Sequence, residues 1–251
     1  MPRPPRFFIS PDQVAEPLIT VSGEDVRHIR AVLRMKAGDE LLLCDGRGTE
    51  YTAKITGMDP SAIRAEILSR SKKEVQYPRV TLGQGLPKSD KMDWIVQKAT
   101  ELGVADIVPI VTERTIVKVK DGEKRTARWQ KIAREAAMQS NRADLPRVEA
   151  VRSFQDFILS FGSRPLTPDP AVLPLKLLPW EEAVEPIKGV LKQNPGAKDI
   201  IVLIGPEGGF SKDEAALAKD KGFHLVGLGR NILRTETAAL AVLTMIGYEY
   251  R

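Results

Sequence analysis

Two loops in the last third of the chain combine glycines with charged and hydroxyl side chains. The first, residues 205–209, reads Gly-Pro-Glu-Gly-Gly and follows an apolar run at 200–204. The second, residues 228–237, includes Arg234 and Glu236 and leads into an apolar segment that favours a helix. Glycines allow backbone amides to approach a ligand closely. Loops after parallel strands meet at the sheet edge where α/β folds bind ligands, so these two predict one pocket.

The two loops do not match the common nucleotide-binding or hydrolase patterns. The first lacks the Gly-Lys-Ser/Thr of a phosphate-binding loop and the Gly-x-Gly-x-x-Gly of a dinucleotide site. The chain has no Gly-x-Ser-x-Gly turn and only two histidines. Ser211 could simply cap a following helix, and Thr235 and Glu236 could begin another. Arg234 is not needed for either purpose and is therefore a candidate for chemistry.

Strand and helix patterns alternate from residue 80 onward. Apolar runs predict strands at 80–85, 106–111, 171–178, 199–204 and 223–228. Helical spacing places apolar side chains on one face of two intervening segments, comprising Met92, Ile95, Val96, Ala99 and Leu102, and Trp129, Ile132, Ala133, Ala136 and Ala137. Strands separated by helices predict an α/β fold with a mostly parallel, helix-covered sheet.

The first part of the chain, residues 1–71, predicts a small β-rich domain. Strands are expected at 39–44, 50–57 and 62–68, each bounded by turn residues. A helix is expected after Ser22, with an apolar face of Val26, Ile29, Val32 and Leu33. Its polar face carries Arg27, His28, Arg30 and Arg34. Residues 72–79 are polar, contain Pro78 and predict a linker to a second domain at 80–251.

Charge and cysteine content limit the class of protein. The 251 residues carry a net charge of +5, and residues 112–142 hold nine Lys or Arg against four acids. Such a segment suits a phosphate backbone, although a solvated helix face would look the same. Cys44 is the single cysteine, which excludes an internal disulfide or a cysteine zinc site. With no long apolar segment or signal-peptide pattern, a cytoplasmic protein without metal or membrane partners is expected.

The two loops together resemble the signature of the RsmE family of SPOUT-class methyltransferases, which methylate uridine N3 in bacterial 16S ribosomal RNA. The similar residues are 204–211, Ile-Gly-Pro-Glu-Gly-Gly-Phe-Ser, and 228–238. Residues 6–8 and the Arg-His-x-x-x-Val-Leu-Arg of 27–34 resemble the family's PUA-like RNA-binding domain. Residues 98–104, 112–114 and 139–142 resemble central blocks. Asn141 replaces an expected glycine, a change that asparagine tolerates at positive φ, and 177–181 is only loosely similar.

The resemblance implies a fold, a cofactor and partners. The expected architecture is a C-terminal SPOUT-type parallel sheet with a deep trefoil knot, preceded by a small PUA-like β-barrel. S-adenosyl-L-methionine is expected to bind at three knot loops, residues 177–180, 204–209 and 228–237. The expected RNA partner is 16S ribosomal RNA or the assembled small ribosomal subunit, and the active unit is expected to be a homodimer.

The resemblance also implies roles for individual residues. The cofactor-binding residues are expected to be Leu178, Ile204, Gly205, Gly209, Leu228, Gly229, Ile232, Leu233 and Thr237. The RNA-binding residues are expected to be Arg6, Arg27, His28, Arg30, Arg34, Arg114 and Arg142. Arg234 is expected to stabilise negative charge on the uracil. Either Glu236 or Glu207 is the candidate base for the N3 proton, and either could instead anchor its loop.

Two alternatives remain open at the level of sequence. The chain could be an RNA-binding ribosome assembly factor without catalysis, although the Arg-Thr-Glu-Thr of 234–237 argues against this. It could also be a related knotted methyltransferase that acts on a ribose 2′-OH or on transfer RNA. A fold shared with such enzymes does not by itself identify the substrate.

Overall fold

The computed structural model describes residues 4–73, 78–117, 121–162 and 173–250. The chain forms two compact units by Cα proximity. The first comprises Met1–Val75 with Ala137–Leu145, and the second comprises Gln76–Ala136 with Pro146–Arg251. Residues 74–77 of the predicted linker and the proline-spaced loop at 165–170 lie outside the described residues.

Within residues 4–73, six strands form the sheet of the first unit. They are β1 (Arg6–Phe8), β2 (Val14–Ala15), β3 (Leu18–Ser22), β4 (Glu40–Cys44), β5 (Thr49–Met58) and β6 (Ala62–Lys72). Their order in the sheet is β1-β4-β5-β6-β3-β2, and all pairs except the parallel β1–β4 pair are antiparallel. Two register shifts between β5 and β6 allow these long strands to bend. The result is a curled sheet, which confirms the small β-rich domain predicted from the strand patterns.

The core of the first unit follows the two-residue period of its strands. Ile19 and Val21 of β3 are buried while their neighbours are exposed, and Ile63 and Ala65 of β6 repeat the pattern. Alternating side chains point to opposite faces of a sheet, so one face of each strand lines this core.

The helix predicted after Ser22 differs from expectation. Ser22 ends β3, and Gly23, with φ at +81°, precedes a short helix α1 (Glu24–Arg27) that continues as one π-helical turn, His28–Val32. Ile29 is buried as predicted, but Val32 is 66% exposed and Leu33 is 40% exposed. The wider π turn rotates both side chains away from the face that a regular helix would bury.

The second unit contains a parallel sheet with helices on both faces. Its strands are β7 (Arg79–Gly85), β8 (Asp106–Val111), β9 (Arg147–Val148), β10 (Arg152–Ser153), β11 (Leu175–Pro179), β12 (Asp199–Ile204) and β13 (His224–Val226). The helices are α2 (Lys91–Glu101), α3 (Gly122–Gln139, whose last three residues belong to the first unit), α4 (Phe154–Gly162), α5 (Ile187–Gln193), α6 (Lys212–Asp220) and α7 (Thr235–Glu249).

The central strand β12 divides the core of the second unit into two layers. Ile200, Val202 and Ile204 pack with side chains of α2, α5 and α7 on one face of the sheet. Ile201 and Leu203 pack with side chains of α4 and α6 on the other face. Because both faces are covered, the strand is a continuous apolar run rather than an alternating one.

Strand order in this sheet departs from chain order at the C-terminal end. The order is β10-β8-β7-β12-β11-β13, with β9 also paired to β8, and every pair is parallel. The chain therefore passes from β11 across to β12, back to β13 at the far edge, and then into α7, which packs on α2 and α5. This strand order agrees with the α/β fold and mostly parallel sheet predicted from the sequence.

Several predicted boundaries are confirmed and others move. The strands predicted at 106–111 and 199–204 match β8 and β12. The strand predicted at 171–178 is observed at Leu175–Pro179, and residues 171–172 lie outside the described part. In the described part of the chain, no helix is long and apolar enough to cross a bilayer.

Candidate functional site

Three loops of the second unit enclose a cavity of about 440 Å³. They follow β11, β12 and β13 and contribute residues 179–181 with 183, 204–210 and 227–235. These strands are parallel neighbours in the sheet, so their carboxyl ends lie at the same edge. The volume is in the range of small-molecule sites. The loops predicted to form one pocket are therefore brought together.

The loop after β12, residues 205–209, is a tight turn that depends on glycine. Gly209 has φ at +67° and its amide donates to the carbonyl oxygen of Pro206 at 2.9 Å. A Cβ atom on Gly205 would lie 3.1 Å from the backbone of Gly209. The loop therefore presents main-chain groups to the cavity at close range. Ser211 then caps α6, and its hydroxyl accepts from the amide of Glu214, which confirms the predicted helix start.

An inner set of hydrogen bonds ties this loop to the start of α7. The hydroxyl of Thr235 donates to the carbonyl oxygen of Gly205 at 2.6 Å. Gln84 at the end of β7 is fully buried, and its Nε2 donates to the Thr235 hydroxyl and to the carbonyl oxygen of Gly85, each at 2.9 Å. Thr235 thus has a structural role beyond beginning a helix. The sequence analysis does not predict this role for Gln84. A glutamine within an otherwise apolar strand could have indicated it, because a buried amide needs hydrogen-bond partners.

An outer set of ionic contacts holds the same loop from the solvent side. Lys91 of α2 donates to Oε1 of Glu207 at 2.9 Å, and its Nζ lies 3.4 Å from Oε2 of Glu236. The backbone amide of Lys88 also donates to Glu207, at 3.1 Å. Lys91 lines the cavity, but sequence reasoning missed it because its partners lie more than a hundred residues further along the chain.

These contacts separate the two candidate bases. Partial burial of Glu207 raises its pKa, but the hydrogen bonds from Lys91 and from backbone amides, together with the charge of Lys91, outweigh burial and lower the pKa overall. The pKa of Lys91 is raised, chiefly by its hydrogen bond to Glu207. Glu207 is therefore held as an ionised, hydrogen-bonded anchor, which makes it a poor proton acceptor.

Glu236 lies in the first turn of α7, with 18% of its side chain exposed. Among the described residues, its buried Oε2 has no hydrogen-bond donor, although the ammonium of Lys91 lies nearby. Arg234 immediately precedes the helix, is exposed and lines the cavity. Glu236 itself does not line the cavity, but Lys91, whose Nζ lies 3.4 Å from its Oε2, does.

Most of the predicted cofactor residues line this one cavity. They are Ile204, Gly205, Gly209, Leu228, Gly229, Ile232 and Leu233. The side chain of Leu178 points into the core layer that contains Ile201 and Leu203, so the expected contact through its backbone groups stays a prediction. Thr237 does not line the cavity, because it lies on an exposed part of α7. The first loop instead contributes Pro179, Trp180 and Glu181.

Five of the predicted RNA-binding residues are exposed and two are largely buried. Arg27, His28, Arg30 and Arg34 are exposed around the π turn. Arg114 is also exposed, but its Nη1 donates to the carbonyl oxygen of Gly208 at 2.8 Å and so anchors the glycine loop.

The prediction is wrong for Arg6 and Arg142, because the side chains of both are buried and paired with carboxylates of the first unit. The side chain of Arg6 is 7% exposed, pairs with Glu50 and donates to the carbonyl oxygen of Arg142 at 3.0 Å. The Arg142 guanidinium pairs with Asp144. Neither cation is presented to a phosphate. Asn141, with φ at +60°, occupies the conformation expected for the glycine that it replaces.

No cluster of three His, Cys, Asp or Glu side chains suited to a metal ion occurs among the described residues. The cavity is instead lined by main-chain groups, aliphatic side chains and a few charges. Such a lining suits an organic ligand that is recognised through shape and backbone hydrogen bonds.

Comparison with known proteins connects this geometry to a family. A family model described as RNA methyltransferase domain matches residues 73–247, and one described as RNA methyltransferase PUA domain matches residues 21–75. The chain is 33% identical to ribosomal RNA small subunit methyltransferase E of Bacillus subtilis (strain 168), with 97% of this chain and 96% of that protein covered. It is 34% identical to the Synechocystis protein of the same name, with 96% and 76% covered.

Solved structures agree. A ribosomal RNA small subunit methyltransferase E from Neisseria gonorrhoeae, bound to S-adenosyl methionine, is 31% identical with a TM-score of 0.84, and 98% of each chain is covered. A Legionella pneumophila protein in complex with the same cofactor is 29% identical with a TM-score of 0.83 over 98% of each chain. The chain therefore belongs to the RNA methyltransferase family that includes ribosomal RNA small subunit methyltransferase E.

Proposed function

We propose that this chain transfers a methyl group from S-adenosylmethionine to N3 of a uridine in 16S ribosomal RNA of the small subunit. The observation that carries the proposal is the convergence of three sheet-edge loops on one cavity with Arg234 at its lining. Relatives that share about a third of the residues over nearly the whole chain bear the matching enzyme name. The reaction belongs in the cytoplasm, where small ribosomal subunits are found.

The residues of the cavity fit the cofactor. Gly205 and Gly209 bring main-chain groups close to the cavity, where they can hydrogen-bond an adenine or a ribose. Leu228, Ile232 and Leu233 supply aliphatic surface for the flat base. When bound, the cofactor supplies an electrophilic methyl group, and the electron pair of the broken carbon–sulfur bond stays on the sulfur. The protein's part is to orient N3 toward that group, and alignment alone can lower the barrier by several kcal/mol.

The remaining chemistry is proton removal and charge stabilisation. N3 of uridine carries a proton and becomes a good nucleophile when that proton is lost. We assign the proton acceptor to Glu236, because Glu207 accepts hydrogen bonds from both Lys91 and Lys88 whereas Glu236, among the described residues, meets only Lys91, at 3.4 Å. Glu236 does not line the cavity, so it would take the proton through a bridging water. The Arg234 guanidinium would stabilise the negative charge that develops on the uracil carbonyl oxygens.

The first unit would bind the RNA. Arg27, His28, Arg30 and Arg34 are exposed together, and such cations bind phosphates. N3 lies on the base-pairing edge, so the target uridine must be unpaired or flipped from a helix before it reaches the cavity. We take residues 1–71 as the RNA-binding domain and 80–251 as the methyltransferase domain.

We further propose that the active unit is a homodimer. Trp94 of α2, Ile232 of the cavity loop and Tyr248 near the end of α7 are large side chains exposed on the second unit. Because α2 and α7 pack against each other, Trp94 and Tyr248 would contribute to one apolar surface, and contiguous apolar surface marks interfaces. Sedimentation velocity at micromolar concentration should give twice the chain mass. A monomer at that concentration would contradict the assignment.

Labelled methyl transfer to a panel of RNAs tests the proposed reaction. The panel comprises small ribosomal subunits, free 16S ribosomal RNA and transfer RNA, each followed by digestion to nucleosides. We expect 3-methyluridine from the small-subunit RNA. A methyl group on a ribose 2′-OH, or on transfer RNA alone, would identify a different knotted enzyme. No transfer to any of them would favour a non-catalytic RNA-binding factor.

A further inference from the structure

The π turn of the first unit is a strongly basic surface that also displays aliphatic side chains. Residues 27–36 contain three arginines, a lysine and a histidine, and no acid. Within the same segment, Val32 and Leu33 are 66% and 40% exposed. We call Arg27, His28, Arg30, Val32, Leu33 and Arg34 the π-turn surface.

The exposure of the two aliphatic side chains is a consequence of the backbone. The amide of Leu33 donates to the carbonyl oxygen of His28 at 3.0 Å, and that of Met35 donates to Ile29 at 3.1 Å. These bonds span five and six residues, whereas a regular α-helix spans four. Val26 and Ile29 remain buried in the core of the first unit. In a regular helix Leu33 would share their face, since it lies four residues after Ile29 and seven after Val26.

Hydrophobic burial should favour the regular helix, since that helix would remove Leu33 from water. The chain instead adopts a π turn and places Arg34 at φ of +54°, a conformation that arginine rarely adopts. Single π turns are frequent at functional sites. The display of Val32 and Leu33 is therefore better explained by a partner than by folding.

The charge around these side chains indicates what the partner is. Among the described residues, neither Arg27 nor Arg34 forms an ion pair, and Arg30 donates to the carbonyl oxygen of Asp59 at 3.2 Å, which leaves its charge uncompensated. The ring of His28 lies edge-on to Phe7, with centroids 5.8 Å apart. Uncompensated cations attract a polyanion, and in a protein that methylates RNA this is RNA.

We propose that Val32 and Leu33 contact the faces of unpaired bases while the surrounding arginines bind the adjacent phosphates. This proposal rests on the proposed function, because it takes RNA as the partner. Base faces are stacked and inaccessible within an RNA duplex, whereas unpaired nucleotides can splay them onto protein side chains. The π-turn surface would therefore prefer single-stranded RNA to a duplex of the same charge density.

The test measures RNA binding by the full-length chain and its variants. Fluorescence anisotropy would compare a single-stranded RNA of mixed sequence with the duplex that it forms with its complement, across a series of salt concentrations. We expect Val32→Ala with Leu33→Ala to weaken single-strand binding roughly tenfold. Duplex binding and the dependence of log affinity on log salt should stay unchanged. Arg27→Gln should reduce that salt slope by about one and weaken both RNAs.

Leu68→Ala is the matched control, because Leu68 is an exposed leucine on β6 of the same unit, outside the π-turn surface. It should bind both RNAs like the wild type. The single variant Val32→Ala, at the more exposed position, repeats the test if the double variant loses its circular dichroism signal. Equal loss for single strand and duplex, or no loss for either, would overturn the proposal. Unchanged RNA binding with a changed sedimentation coefficient would instead assign the surface to a second copy of the chain.

Methyl transfer is measured in parallel so that the two proposals can fail separately. Normal transfer by the wild type together with equal effects of the double variant on both RNAs would reject the base contact and leave the enzyme intact. Selective loss of single-strand binding in a chain that transfers no methyl group to any RNA would support the π-turn surface and reject the proposed function.

Discussion

Arg234 and Thr235 are adjacent in the chain but have different surroundings. The Thr235 side chain is buried and bonded to Gly205 and Gln84, whereas Arg234 is exposed and lines the cavity. The hydroxyl therefore holds the glycine loop against α7, and the guanidinium remains available to a substrate. Truncating each side chain should have separate consequences.

Replacing Arg234 with alanine should remove charge stabilisation and leave the cavity intact. We expect a loss of roughly 10²- to 10³-fold in kcat, the size seen when one stabilising donor is removed. Isothermal titration should show cofactor binding close to that of the wild type. Lys219→Ala on the exposed side of α6 is the charge-matched control and should transfer methyl groups normally. Wild-type turnover by the Arg234 variant would refute its assigned role.

Lys91 links two carboxylates that lie on different elements. Lys91→Met should free Glu207 and Glu236 from their common cation, so that the glycine loop and the start of α7 lose their outer connection. We expect methyl transfer to fall roughly 10- to 100-fold through misalignment. Lys91→Arg keeps the charge and should retain most of the activity. Equal loss in both variants would show that the ionic link is not what matters at this position.

At the scale of elements, the end of β7 lies directly beneath the glycine loop. A Cβ atom on Gly85 would lie 2.5 Å from the backbone nitrogen of Pro206. Both the added Cβ atom and the Pro206 nitrogen have positions fixed by the backbone, so no side-chain rotation can relieve the clash. Three contacts therefore fix the position of the loop. The backbone of β7 packs against Pro206, the Thr235 hydroxyl bonds to Gly205, and Lys91 bonds to Glu207.

Gly85→Ala should displace the glycine loop and weaken cofactor binding at least tenfold, because the loop would move away from its hydrogen-bonding position. Titration calorimetry with S-adenosylmethionine measures this directly. Gly196→Ala is the matched control, since a Cβ atom there meets nothing within 4 Å and its φ is not in the left-handed region. Unchanged affinity in the Gly85 variant would mean that the loop does not carry the cofactor.

Sequence reasoning succeeded for elements with a local signal. The continuous apolar runs of β8 and β12 arise because both faces are buried, and turn residues bound them. The π turn at His28–Val32 has no periodic signal, so the spacing of Val32 and Leu33 predicts the apolar face of a regular helix instead.

At the scale of the molecule, distant segments are joined inside the first unit. Arg6 on β1 pairs with Glu50 on β5 and donates to the carbonyl oxygen of Arg142, which lies 136 residues further along the chain. Lys73 also reaches Glu50, at 3.1 Å. An arginine near the start of a basic chain predicts RNA binding. The contacts that occupy Arg6 lie 44 and 136 residues further along the chain, so the sequence alone does not reveal them.

This cluster gives the first unit a dependence on pH. Burial raises the pKa of Glu50, but hydrogen bonds and charge from Arg6 and Lys73 outweigh it and lower the pKa overall. A lowered carboxyl pKa contributes stability that is present above the unfolded value of about 4.3 and is lost as pH falls through the folded value. Stability of the wild type should therefore decrease on acidification below about pH 4.3.

Glu50→Gln tests the cluster. It leaves the Arg6 cation buried without its carboxylate, so we expect a loss of about 3 kcal/mol in unfolding free energy at pH 7. The loss should be smaller at pH 3, because below the unfolded pKa the stability contributed by the lowered pKa of Glu50 is progressively lost in the wild type. Denaturant titrations at both pH values measure it, with Glu66→Gln on the exposed face of β6 as control. An equal loss at both pH values would disprove the ionic contribution.

We propose that the cavity of the second unit directs a methyl group to N3 of a uridine in the small ribosomal subunit. The most direct measurement incubates small subunits from a strain lacking this protein with labelled S-adenosylmethionine, and locates the mark in 16S ribosomal RNA by mass spectrometry. We expect one 3-methyluridine with the wild type, and the same mark formed roughly 10²- to 10³-fold more slowly with Arg234→Ala. Cofactor binding without any transferred label, or a label on another atom, would contradict it.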